Sequence, residues 1–159
     1  VIELIRLDLV DSSKVAIFGN SAGGLTAINA LCESDLFKVA ICKYPVLDLN
    51  DMHHKTHRFE KGYLNSLIGE YSKFRNDYEL RSPINRVNQM NKPMLIFHGK
   101  KDLVISYKKT LELKEKLSKN NKHSEFIFFD DEGHGFKNID NKKQVLLKTH
   151  EFIKKTLKI

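Results

Sequence analysis

The sequence predicts an α/β fold in which a parallel sheet is flanked by helices, and three observations predict it. Four short runs rich in β-branched and aromatic residues recur along the 159 residues: Lys14 to Phe18, Val39 to Lys43, Met94 to His98 and Glu125 to Phe129. Helical patterns or a long excursion separate them, so strands alternate with crossovers, as parallel neighbours require. The first run breaks sharply into Gly19-Asn20-Ser21-Ala22-Gly23-Gly24 before an apolar helical stretch, the strand, turn and helix of an α/β unit. With 41% hydrophobic residues, the chain can bury a core on both faces of such a sheet.

The elements follow in order. Val1 to Val10 reads as the tail of an amphipathic helix. The strand Lys14 to Phe18 leads to a helix over Ala22 to Cys32. A second strand, Val39 to Lys43, ends at Tyr44-Pro45. The excursion from Asp48 to Asn91 carries helical pieces near Phe59 to Ile68 and Asp77 to Leu80. The strand Met94 to His98 precedes a helix over Ser106 to Lys119. The strand Glu125 to Phe129 precedes the last helix, Lys142 to Lys155, where Val145, Leu146, Thr149, Phe152 and Ile153 share one face. Such a sheet leaves its first strand at an open edge, prone to association.

The first strand–helix junction carries the chemistry. Gly19-Asn20-Ser21-Ala22-Gly23 has the G-x-S-x-G spacing of a nucleophile elbow. The turn must hold Ser21 in a strained conformation, and Gly19 and Gly23 are expected to leave room for the chain passing beside it. The Ser21 hydroxyl then stands at a helix N-terminus, where N–H groups favour developing negative charge. A glycine-rich turn of no chemical role is the plain alternative.

A serine nucleophile needs a base and an orienting acid, in the chain order Ser, Asp or Glu, His on this fold. Asp102 lies just past the strand Met94 to His98, and His134 lies between two glycines after the strand Glu125 to Phe129. Both therefore sit at the carboxyl edge of the sheet, where such groups collect. Asp102 is otherwise a turn or helix-capping aspartate, and His134 a solvated loop histidine. Asp130, Asp131 and Asp140 rival Asp102, but the first two crowd His134 and the third follows it. His98 rivals as base, yet it precedes Asp102 at a strand end, where a structural role fits better.

These residues give the chain a family resemblance. With Thr56-His57-Arg58-Phe59-Glu60, Tyr63-Leu64-Asn65-Ser66-Leu67-Ile68-Gly69, Arg81-Ser82-Pro83-Ile84, His98-Gly99 and Glu132-Gly133-His134-Gly135-Phe136, it resembles the catalytic domain of the prolyl oligopeptidase family of serine peptidases. Acylaminoacyl-peptidase and dipeptidyl-peptidase-like members are the nearest in pattern. The resemblance implies the carboxyl-terminal portion of an α/β-hydrolase fold, with Ser21 as nucleophile, Asp102 as orienting acid, His134 as general base and the Ala22 N–H as an oxyanion donor. It implies a short-peptide substrate and no metal or organic cofactor. Ile105 departs from the proline common after Val104 in these proteins, a change expected to alter only a loop. Strands before the elbow, the second oxyanion donor and any propeller domain have no counterpart, so residues 1–159 are expected to form one partial catalytic domain.

Other readings are weaker. Tyr44 lines either a specificity pocket or a contact with the excursion. His53 and His57 have the i, i+4 spacing of a helical metal pair but lack a third ligand. The net charge of +7 comes from 22 lysines against 5 arginines; fifteen of those lysines follow Gly99, mixed with nine acidic residues. That pattern is a solvated surface and not a nucleic-acid reader. No apolar run approaches the roughly 20 residues that cross a bilayer. Cys32 and Cys42 read as small buried residues, neither a zinc site nor a disulfide scaffold. The expected setting is cytoplasmic, with self-association through the open edge. A carboxylesterase of the same fold and a non-catalytic remnant are the competing functions.

Overall fold

A computed structural model describes residues 1–55, 58–118, 121 and 123–159. After helix α1 (Ile2–Arg6) and a 3-10 turn at Ser12–Lys14, the chain enters strand β1 (Ala16–Asn20), helix α2 (Ala22–Glu33) and strand β2 (Val39–Lys43). The excursion holds helices α3 (Leu49–Lys55), α4 (Arg58–Ile68) and α5 (Tyr71–Arg81). Strand β3 (Met94–Gly99), helix α6 (Tyr107–Leu117), strand β4 (Glu125–Phe129) and helix α7 (Ile139–Leu157) complete the order. The four strands pair in parallel as β1-β2-β3-β4. The predicted α/β architecture is the one observed.

Alternate residues of the central strands feed two cores, as the two-residue period of a strand requires. Ala40, Cys42, Met94 and Ile96 pack with Ala27, Ile28 and Leu31 of α2 and with Leu113 and Leu117 of α6. Val39, Ile41, Leu95, Phe97 and Phe129 pack on the other face with Phe152 and Leu157 of α7. β3 is buried at every position, which explains its unbroken apolar run. Fully burying side chains such as Phe97 or Ile96 contributes ~1.5–3 kcal/mol each. A third cluster joins Val46, Leu49, Leu64, Tyr78 and Ile105, seating the excursion over the carboxyl edge of the sheet.

Several boundaries move. The first helix closes at Arg6 and buries nothing, well short of Val10. β1 starts two residues after Lys14 and runs through Asn20, because Gly19 and Asn20 pair with Cys42 and Lys43. The last helix begins at Ile139, three residues before Lys142, since the Asn138 side chain accepts from the Asp140 N–H. On that helix Leu146 is 70% exposed and does not share the core face of Phe152. β1 is the edge strand, with Phe18 59% exposed. No described helix is long and apolar enough to cross a membrane.

Candidate active site

Ser21 links β1 directly to α2, with φ 53 and ψ −120. That left-handed backbone costs a non-glycine residue ~1–3 kcal/mol and persists only where its surroundings hold it. Here they do. The Ser21 N–H donates to the Lys43 carbonyl (3.0 Å), extending the ladder, while the Ser21 carbonyl accepts from Val46 N–H (3.1 Å) and Gly24 N–H (3.0 Å). A Cβ on Gly19 would strike the Gly23 carbonyl, so Gly19 is needed as read from the sequence. Gly23 is not: its Cβ position faces open space. The second required glycine is Gly24, whose Cβ would come within 2.6 Å of Pro45. Ala22 heads α2, so its N–H points out of the helix start beside Ser21.

Asp102 follows β3 with its side chain fully buried. Its Oδ1 accepts from Val104 N–H (2.9 Å) and Ile105 N–H (2.8 Å), and its Oδ2 from His134 Nδ1 (2.9 Å). Burial pushes the carboxyl pKa up, but the contacts from His98, Ile105, His134 and Val104 outweigh it and hold it at about 2. Asp102 is therefore ionised at neutral pH, and the Nδ1 of His134 carries the proton. Ile105 does more than alter a loop, since it supplies one of the N–H donors.

His134 is held from two sides. The Tyr44 ring lies 4.6 Å from it, centroid to centroid, and meets Phe136 edge-on at 5.4 Å. Tyr44 itself has φ 40 and donates its N–H to the Phe97 carbonyl (2.7 Å). It thus joins the β2 end, one residue from the Lys43 carbonyl that holds Ser21, to the histidine. Below the loop, buried Glu132 accepts from Lys137 N–H (2.8 Å), Asn138 N–H (2.9 Å) and Asn141 Nδ2 (3.1 Å). Burial works against its charge, yet these donors keep its pKa below the usual carboxylate range. The Lys101 N–H donates to the Glu132 carbonyl (2.8 Å), and a Cβ on Gly99 would collide with that carbonyl. The Asp102 and His134 loops are stitched together at this point. The roles of Glu132, Gly99 and Gly24 were not assigned from sequence; only Glu132, two residues before His134, carried a local signal.

The structure brings Asp102 and His134 into hydrogen bond and sets Ser21 on the same carboxyl edge. Among the described residues the Ser21 hydroxyl has no hydrogen-bond partner. The rivals go elsewhere: Asp130 pairs with Lys100, Asp131 accepts from Asn138 and Asn141, and Asp140 lies in the first turn of α7. His98 is fully buried in the sheet. Tyr44 borders an apolar groove of about 470 Å³ with Phe18, Ile41, Phe136, Val145 and Leu146. His57 lies outside the described residues, and His53 stacks on Tyr71 at 4.1 Å.

Comparison with known proteins places the chain among serine peptidases. The chain is 24% identical over 159 residues to dipeptidyl aminopeptidase BIII of Pseudoxanthomonas mexicana, covering 96% of this chain and 23% of the relative. It superposes on a puromycin hydrolase with a TM-score of 0.94 at 28% identity, covering 99% of this chain and 24% of the other. A puromycin-hydrolyzing peptidase of Mycobacterium tuberculosis gives 0.93 at 30% identity, covering 98% and 24%. The chain thus spans just under a quarter of each of these relatives. The model of the prolyl oligopeptidase family matches residues 1–159, and the chain belongs to that family.

Proposed function

We propose that this chain is the nucleophile-, acid- and base-bearing part of a serine peptidase catalytic domain, acting on short peptides by acyl transfer. The observation that carries the reading is the 2.9 Å bond from His134 Nδ1 to buried, ionised Asp102 on the same sheet edge as the strained Ser21. With the proton on Nδ1, the Nε2 lone pair is available to a hydroxyl. His134 Nε2 takes the Ser21 proton as Oγ attacks the scissile carbonyl, and Asp102 stabilises the imidazolium. The Ala22 N–H and the start of α2 stabilise the oxyanion. His134 then protonates the leaving amine, and water hydrolyses the acyl-enzyme. Tyr44, over the histidine and at the mouth of the apolar groove, contacts the substrate.

The open edge of β1 and the exposed Phe18 favour a catalytic domain completed by further strands, which supply the second oxyanion donor. Two free cysteines, Cys42 being buried, suit a reducing compartment such as the cytoplasm. Labelling with a fluorophosphonate probe tests the assignment. The expected result is labelling of the native chain, or of the chain supplied with its complementing strands, that Ser21→Ala abolishes. Absence of labelling in both settings by a folded chain overturns it in favour of a non-catalytic module. Faster turnover of p-nitrophenyl esters with no cleavage of peptide amides would point to an esterase.

A further inference from the structure

The proposed mechanism leaves one fully buried titratable side chain unused. His98 closes β3 with no exposed surface, and a buried imidazole is tolerated only when both ring nitrogens are satisfied. Nδ1 lies 2.8 Å from Thr110 Oγ1 and Nε2 lies 2.9 Å from the Ile105 carbonyl. Nε2 also approaches Asp102 Oδ2 at 3.5 Å. The carbonyl and the ionised carboxylate can only accept, so the proton is on Nε2, and Nδ1 accepts from the Thr110 hydroxyl. Thr110 is itself fully buried on α6, which aims the ring from outside the sheet.

The Nε2–H bond proper goes to Ile105; the longer approach to Oδ2 adds attraction at the limit of hydrogen-bond range. Both routes end on the same carboxylate, because Ile105 donates its own N–H to Oδ1. We propose that His98 is a positioning residue, aimed by Thr110, that fixes the rotation of the Asp102 carboxylate and so presents Oδ2 to His134. The other titratable groups facing that carboxylate are His134 and the Tyr44 phenol, whose pKa rises through burial and the charge of Asp102. The inference rests on the reading of Asp102 and His134 as acid and base.

Two amide substitutions separate positioning from packing. His98→Gln can carry an N–H to the Nε2 position, whereas His98→Asn reaches only the Nδ1 side. In the full chain, His98→Asn is expected to slow fluorophosphonate labelling about tenfold and to raise the carbon-13 NMR titration midpoint of the Asp102 carboxyl by more than one pH unit. His98→Gln recovers most of both at a similar melting temperature. Thr110→Val, near-isosteric, moves both readouts the same way by a smaller factor. Equal losses in both His98 variants that track melting temperature, or an Asp102 titration unmoved by His98→Asn, overturn the proposal. The titration needs no catalysis, so a native chain that fails to label counts against the peptidase reading while His98 is still judged.

Discussion

At the scale of single residues, Asp102 concentrates the site's electrostatics. Its folded pKa of about 2 lies below the ordinary 3.8, so the ionised carboxylate stabilises the fold. That contribution is complete above about pH 5, declines as pH falls through 3.8 toward 2, and amounts to ~2 kcal/mol. Urea denaturation between pH 5 and 2 should therefore show a decline in stability that is smaller by ~2 kcal/mol in Asp102→Asn, the other depressed carboxylates such as Glu132 supplying the rest. The substitution should also cut activity about 10⁴-fold, because an amide stabilises the wrong histidine tautomer; initial rates with a peptide substrate check this. Ser21, Asp102 and His134 stand out in the sequence because each is a polar residue in a glycine-containing loop just past an apolar strand. His98, Thr110 and the Ile105 N–H do not. Their parts depend on which atoms meet across the β3–α6 connection, and a backbone donor leaves no trace in residue type.

At the scale of elements, the distance between the Asp102 and His134 loops is set by backbone contact. Gly99→Ala would drive a methyl group into the Glu132 carbonyl. The expected cost is ~1–3 kcal/mol in a urea melt, with at least a tenfold loss of labelling as Asp102 and His134 separate. Strands were read better than helices for a physical reason. β2 and β4 occupy the residues expected, because buried parallel strands are apolar whatever surrounds them. Helices α3 and much of α5 went unread. α5 is polar along most of its length, breaks its helical geometry at Phe74, and is anchored by Tyr78 buried in the excursion cluster. Its signal is tertiary. The elbow glycines differ for the same reason: the G-x-S-x-G spacing marks Gly23, while the close approach to Pro45 falls on Gly24.

At the scale of the whole molecule, the open flank lies beside the strand that leads into Ser21. Among the described residues β1 has a neighbour on one side only, and the groove next to it exposes Phe18 and Leu146. If the open edge drives association of the chain, Phe18→Lys reduces it in sedimentation velocity while changing stability by no more than about 0.5 kcal/mol. The sequential strand order also sets an order in time. Of the described strands, the one leading to Ser21 precedes the other three in the chain, Asp102 follows the third and His134 the fourth. At translation rates of about 5–20 residues per second, roughly 6–23 s separate synthesis of Ser21 from synthesis of His134. A nascent chain halted before residue 134 therefore holds Ser21 without the imidazole that the proposed mechanism requires.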